Sequence, residues 1–294
     1  MSESVSHDPH SDNDASQDAA ADASTPAPEP STMDRAMQER RSRQTAVAGA
    51  AEGEPDVAVL VPAAGSGTRM GEGTRKQYRE LGGDPLLVCT LRVFDQCDAV
   101  GHIIVAAPAE DVRRVSDRLQ EAGLRKLTAV VEGGASRQGS VRNALRAVPS
   151  SVNVVLVHDA VRPFIRAHHV SGVVDAVREH GAASLAVPVV DTLRRQEGKN
   201  FGATVDRDGL YRMQTPQGFR RDWLETAHRE ARTKDVPATD DVELVQRLGH
   251  SVRSVEGSAY NVKITTPTDW SLATAIWPRW CEGGMEGEAA SSSQ

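Results

Sequence analysis

Uninterrupted apolar blocks alternate along this chain with segments whose apolar residues recur every three or four positions. The first block, Val57-Ala58-Val59-Leu60-Val61, has no polar break and predicts a strand buried on both faces. Similar blocks at 102–106, 127–131, 154–157 and 183–190 predict further strands. Helices are predicted between them over 84–94, 111–119, 136–148 and 169–179. The first of these opens on Asp84-Pro85, an N-cap and first-turn signal. The third places Val141, Ala144, Leu145 and Val148 on one face. Helices at 222–231 and 240–248, strands near Val252 and Val262, and a helix from Pro267 complete the pattern. Fully apolar strands alternating with helices imply an α/β fold, a mostly parallel sheet flanked by helices on both faces. Ligands of such sheets bind at the carboxyl ends of the strands.

The alternation breaks over 192–214, a polar stretch with a turn signal at Asp206-Arg207-Asp208-Gly209. It predicts a β-arm protruding from the sheet, with Arg207 near its tip. Such an arm buries little by itself and is expected to pack on a second subunit. The domain is therefore expected over 56–280. Residues 1–55 are rich in Ser, Ala, Asp and Pro, with no Lys or Arg before Arg35, and predict a disordered tail. Residues 281–294 predict a short, frayed one.

Composition narrows the function classes. Of 294 residues 39% are hydrophobic, enough for a sizeable core. A net charge of −7 argues against a general nucleic-acid binder, though not against a local basic pocket. No apolar run approaches the roughly 20 residues that span a bilayer. The N-terminus lacks the basic and apolar regions of a secretory signal. Cys89, Cys97 and Cys281 are odd in number and form no CxxC pair, so neither a disulfide framework nor a zinc site is expected. Reduced thiols and a cytoplasmic location follow. Lysines are few (Lys76, Lys126, Lys199, Lys234 and Lys263), which draws attention to each.

The candidate chemistry sits directly after strands. Pro62-Ala63-Ala64-Gly65-Ser66-Gly67-Thr68-Arg69-Met70 follows the first. Its glycines permit close approach of backbone to phosphate, and successive N–H groups there can form an anion nest. The spacing fits neither a Walker A loop nor GxGxxG, which disfavours an NAD module. Arg69 and Lys76 suit a polyphosphate, the one as a fork and the other as a mobile point charge. Asp159 ends a strand and precedes Arg162. It suits Mg²⁺, an acceptor hydroxyl or a structural ion pair with Arg162. His158 reads as a packing residue. Asp191 and Thr192 either contact polyol hydroxyls or simply open the arm. Asp240 and Asp241 read as charge stabilisation of a helix N-terminus rather than as catalytic groups.

The motif set as a whole resembles the 2-C-methyl-D-erythritol 4-phosphate cytidylyltransferase family. It comprises the first loop with Lys76-Gln77-Tyr78, then Gly133-Gly134-Ala135-Ser136-Arg137-Gln138-Gly139-Ser140-Val141 and Val157-His158-Asp159-Ala160-Val161-Arg162-Pro163. Pro188-Val189-Val190-Asp191-Thr192, Val205-Asp206-Arg207, Gln214-Thr215-Pro216-Gln217, Thr239-Asp240-Asp241 and Asn261-Val262-Lys263-Ile264-Thr265 follow in order. Two departures are conservative: Val161 stands where many members have Ala, and the base loop is less acidic than in some. The resemblance implies a Rossmann-like nucleotidyltransferase fold, CTP with Mg²⁺, and a homodimer joined through the arm. It also implies a polyol-phosphate acceptor and a place in non-mevalonate isoprenoid synthesis. It assigns Arg69 and Lys76 to transition-state charge, and Arg207 and Lys263 to the acceptor phosphate. Ala63, Ala64, Gly65, Gly67, Gly133, Arg137, Ser140 and Asp159 surround the nucleotide, with Asp159 toward the metal. Arg162, Asp191, Thr192 and Thr215 lie toward the acceptor. A ribitol-5-phosphate cytidylyltransferase is the nearest rival, differing in acceptor contacts near Thr192 and Thr215. A non-catalytic nucleotide sensor is the rival from another class, and it would be expected to have lost Arg69, Lys76 and Lys263.

Overall fold

Val57–Pro62 forms β1, the apolar run that the sequence marks as buried on both faces. A computed structural model describes residues 56–65 and 75–283. The expected tail at 1–55 and residues 284–294 lie outside the described residues. So do Gly67 and Arg69. β1 pairs in parallel with β4 (His102–Ala107) on one side and β6 (Val154–Val157) on the other. β5 (Leu127–Glu132) adds in parallel beyond β4. β10 (Tyr211–Arg220) lies antiparallel between β6 and β7 (Ala182–Pro188), and β11 (Arg253–Glu256) closes the edge parallel to β7. The seven-stranded order is β11-β7-β10-β6-β1-β4-β5. Because the chain moves first to one side of β1 and then to the other, a crevice opens at the carboxyl end of β1.

Alternate residues of β1 feed two cores, as the period of a strand requires. Val57, Val59 and Val61 face α1 (Leu86–Gln96), α2 (Val112–Glu121) and α4 (Ala167–His180) through Leu91, Phe94, Leu119 and Val174. Ala58 and Leu60 face α3 (Arg137–Leu145), α5 (Arg221–Thr233) and α6 (Asp241–Gln246) through Val141, Leu145, Leu224 and Val245. A third cluster joins α7 (Pro267–Cys281) to α1 through Leu86, Cys89, Phe164, Ile264 and Trp280. Thr266 and Asp269 form a capping box that starts α7 with Pro267 in its first turn. Among the described residues no helix is long and apolar enough to cross a membrane.

Three expectations are corrected. The first helix starts one residue later than the Asp84-Pro85 signal implies: α1 begins at Leu86 with Pro85 as its N-cap, and Asp84-Pro85 form β3, which pairs with β2 (Glu80–Leu81). Gly82 and Gly83 both adopt positive φ, +64° and +93°, which sets a two-residue hairpin turn ahead of the helix. The Asp84 carboxylate pairs with Arg92 (2.5 Å) instead of capping. Val262 lies in a loop, not a strand. The arm is shorter than 192–214: β8 (Leu193–Glu197) and β9 (Asn200–Val205) form it, and Tyr211 onward returns to the main sheet as β10. Its tip lies at Gly198, where φ is +63°. The Asp206–Gly209 turn joins β9 to β10, so Arg207 stands at the arm's base rather than its tip. There Arg207 donates to the carbonyl of Val190.

Candidate active site

Three strand ends build one cavity. β1 runs into Ala63, Ala64 and Gly65. Ala63 N–H donates to the carbonyl of Ala106 (2.7 Å), which extends the β1–β4 ladder into the loop. Gln77 is buried, and its amide donates to the carbonyls of Ala63 (2.7 Å) and Gly65 (3.1 Å). That clamp holds the loop open and places the neighbouring Lys76 on the cavity wall.

β5 supplies the second wall. Gly133 N–H donates to the carbonyl of Ala107 (2.7 Å), and a Cβ on Gly133 would lie 2.3 Å from Cβ of Ala64. Only glycine lets the two loops meet there. Ser136 caps α3 by accepting from Gly139 N–H (3.0 Å). The Ser140 hydroxyl donates to the carbonyl of Ser136 (2.9 Å) and accepts from Gly134 N–H (3.1 Å). The loop is thus shaped from within, and the free N–H groups at the start of α3 favour an anion.

β6 runs directly into His158 and Asp159. His158 is fully buried, and burial pushes its imidazole down to about 4, so it is neutral near pH 7. Its Nε2 lies 3.0 Å from the Arg162 carbonyl, which can only accept. Nε2 therefore carries the proton, and Nδ1 accepts from the Thr215 hydroxyl (3.1 Å). Thr215 in turn accepts from Asp159 N–H (3.1 Å). His158 is a structural residue, as the sequence suggests.

Asp159 is the electrostatic centre. Its carboxylate meets Lys263 Nζ at 3.0 Å, Arg162 Nε at 3.1 Å and Arg137 Nε at 3.3 Å. Burial by itself would raise its pKa, but Lys263, Arg137 and Arg162 outweigh that and hold the carboxyl well below the usual carboxylate range. Lys263 comes from the loop before α7. There Ile264 N–H donates to the carbonyl of Val161 (3.0 Å), and the Ile264 side chain is buried in the third cluster. The ordering of that loop carries Lys263 to the wall.

The resulting cavity measures about 530 Å³. Ala63, Ala64, Gly65, Lys76, Arg137, Ser140, Asp159 and Lys263 all line it. Among the described lining residues the cations are Lys76, Arg137 and Lys263, and Asp159 is the only acid. Such a wall attracts anions. Gly133 stands just behind the wall. Arg162 and Thr215, expected to face the acceptor, instead stand behind Asp159 and hold it: Arg162 also donates to the carbonyl of Asn261 (2.7 Å). Asp191, Thr192 and Arg207 do not line the cavity. No group of three His, Cys, Asp or Glu suited to a metal occurs among the described residues.

Three contributors escaped the sequence reading. Gln77 and Asn261 sit inside recognisable motifs, but neither carries a charge to draw notice. Asn261 donates to the carbonyl of Thr215 (2.8 Å) and so fixes the Lys263 loop to β10. Asp240 does cap α6, accepting from Glu243 N–H (3.0 Å). Asp241 does not share that role: it is buried, with Oδ2 on Arg137 Nη1 (2.7 Å) and Oδ1 on His228 Nε2 (2.9 Å). Burial would raise its pKa too, yet Arg137 and His228 bring it below the usual range.

Comparison with known proteins identifies the family. The family described as 2-C-methyl-D-erythritol 4-phosphate cytidylyltransferase matches residues 57–279. A 2-C-methyl-D-erythritol 4-phosphate cytidylyltransferase of Salinibacter ruber is 60% identical over 237 residues, covering 81% of this chain and 99% of that protein. The crystal structure of the enzyme of that name from Thermus thermophilus is 38% identical with a TM-score of 0.65, over 76% of this chain and 99% of its own. A 4-diphosphocytidyl-2C-methyl-D-erythritol synthase structure from Anaerococcus prevotii is 27% identical with a TM-score of 0.67, over 77% of this chain and 100% of its own. The cation-lined cavity lies wholly within the matched span, and the chain belongs to the 2-C-methyl-D-erythritol 4-phosphate cytidylyltransferase family.

Proposed function

We propose that this chain transfers the cytidylyl group of CTP to 2-C-methyl-D-erythritol 4-phosphate and releases pyrophosphate, a step of non-mevalonate isoprenoid synthesis. The observation that carries the reading is the cavity where Lys76, Arg137 and Lys263 face a single carboxylate at the strand ends. An oxygen of the acceptor phosphate attacks the α-phosphorus in line. The bond from that phosphorus to the bridging oxygen breaks, and pyrophosphate leaves with the electron pair. The acceptor phosphate is ionised near neutral pH, so no strong base is needed. The obstacle is bringing one anion to another, and fixed cations lower it. Lys76, with Arg69, takes the triphosphate beside the amides of Ala63 to Gly67. The loop of Gly133, Arg137 and Ser140 takes the cytosine. Lys263, anchored by Asp159, takes the acceptor phosphate, and Arg207, Asp191 and Thr192, which do not line their own chain's cavity, complete the acceptor site from the arm of a second copy of the chain. Arg162 and Thr215 serve by keeping Asp159 in place.

When bound, Mg²⁺ supplies neutralisation of triphosphate charge. Asp159, the only acid among the described lining residues, would hold this ion while keeping its contact with Lys263. Oxygens of the triphosphate would hold it with Asp159. A homodimer through the arm is supported by exposed apolar side chains on it and beside it: Phe201 of β9 is 82% exposed, and Val190 (67%) and Tyr211 (53%) flank the arm's base. Three free cysteines fit a cytoplasmic enzyme. The test is pyrophosphate release with CTP and each acceptor in turn. Methylerythritol phosphate should give the highest kcat/KM. Equal turnover with ribitol 5-phosphate, or with ATP in place of CTP, would overturn the assignment.

A further inference from the structure

Away from the cavity, four arginines converge on one groove. Arg142 and Arg146 come from the C-terminal end of α3, and Arg229 and Arg232 from α5. With Leu145, Glu225 and His228 they line a cavity of about 260 Å³. Among the described residues none of the four has a carboxylate within ion-pair distance. Arg229 donates only to the Thr226 hydroxyl (3.1 Å), and Glu225 is taken by Arg221 (2.7 Å). Like charges three and four residues apart on one helix repel. The dipole at each helix end favours a nearby cation, but it gives no reason for four in one groove.

A second observation is independent of the charges. His228 lines this groove while being almost wholly buried, at 1% exposed. Its Nε2–H donates to Asp241, which leaves Nδ1 a buried acceptor with no hydrogen-bond partner, one that the P–OH of a monoprotonated phosphate can satisfy. Nε of Arg142 is likewise buried and unpartnered. Buried polar nitrogens without partners are rare and costly. We propose that this groove binds a phosphate-class anion, gripped by the guanidinium forks, and that the buried chain His228–Asp241–Arg137 relays its occupancy to the catalytic cavity. Guanidinium groups match phosphate oxygens bidentately. The volume suits inorganic phosphate or a small phosphomonoester rather than a second nucleotide. The relay is continuous: Asp241 holds His228 with one oxygen and Arg137 with the other, and Arg137 lines the catalytic cavity.

The test uses the full chain with a non-hydrolysable α,β-methylene analogue of CTP saturating the catalytic cavity. Inorganic phosphate and glycerol 3-phosphate are then titrated calorimetrically. One saturable site per chain is expected, weakened at least tenfold in the double variant Arg229→Gln/Arg232→Gln. Both of these residues are exposed, so folding and phosphate-free kcat should be unchanged. Whichever probe binds more tightly identifies the free anion or the monoester as the ligand. Absence of saturable binding, or binding undiminished in the variant, overturns the site. In initial rates, phosphate should shift KM for CTP at least twofold in the wild type and not in the variant. A shift that persists in the variant is competition in the catalytic cavity and overturns the relay, as does binding with no shift. The calorimetric result does not depend on which reaction the chain catalyses, so failure of the site and failure of the proposed reaction are distinguishable.

Discussion

Asp159→Asn keeps the shape of the side chain and removes its charge from among three cations, at 3.0 Å from Lys263, 3.1 Å from Arg162 and 3.3 Å from Arg137. Removing one partner of a buried ion pair costs about 3–5 kcal/mol. The side chains of Lys263 and Arg137 are 40% and 27% exposed, so water offsets part of their loss. Arg162, at 11%, is the most deprived. The expected net loss is about 2–4 kcal/mol. At about 2–4 °C per kcal/mol for a domain of this size, Tm should fall by roughly 5–15 °C. The pH dependence follows from the lowered carboxyl of Asp159. Its contribution is fully present above the unfolded aspartate value, about 4, and is lost as pH falls through the folded one. The gap between wild type and variant should therefore stay level from about pH 8 to 5 and shrink only in strong acid. CTP brings its own negative charge, so the Tm rise on adding CTP should be larger in the variant. Thermal unfolding across pH, with and without CTP, measures all three. A variant whose Tm at pH 7 lies within about 2 °C of wild type would refute the reading of Asp159 as the counter-charge of the site.

Other perturbations test other parts of the wall. Lys76→Ala should cut kcat on the order of a hundredfold with Tm unchanged, because the lysine acts on charge that develops in the reaction; near-normal kcat would remove it from the mechanism. Gly133→Ala would push a Cβ to 2.3 Å from Ala64, so the loops must part. A cost of about 1–3 kcal/mol in denaturant unfolding and a raised KM for CTP should follow, and unchanged values would refute the close-approach argument. Arg207→Ala should raise KM for the acceptor phosphate much more than KM for CTP. Mixed with Lys76→Ala it should regain activity if Arg207 serves the partner's site, since one site of the mixed dimer has both residues intact. Verified heterodimers with no recovery would exclude that exchange.

Much of the fold was legible in the sequence because the governing signals are local. The unbroken apolar run of β1 and the spacing of Val141, Ala144, Leu145 and Val148 record burial directly, and all of these residues are buried. Loops that follow strands in a parallel sheet converge for topological reasons, so Lys76 and Asp159 could be nominated together before any contact was known, while Arg137 and Lys263 were nominated by the family resemblance of their motifs. Where the sequence misled, the deciding contact was distant or geometric. Asp84-Pro85 marks the helix start, but the hairpin turn at Gly82-Gly83 pairs both residues with β2 and leaves Pro85, not Asp84, as the N-cap. The Asp206–Gly209 turn was visible; that it joins the arm to β10, and not the arm's two strands to each other, depends on β10 filling the gap between β6 and β7. Asp241 lies 104 residues from Arg137. Its charge at a helix start is explained equally well by the helix dipole, and only packing of α6 against α5, which brings His228 to Asp241, turns it inward. Residue types and their order determined the class of fold and the charge of the site. Tertiary structure decided which oxygen meets which nitrogen, because burial converts a weak surface pairing into a strong constraint only when both partners leave water together.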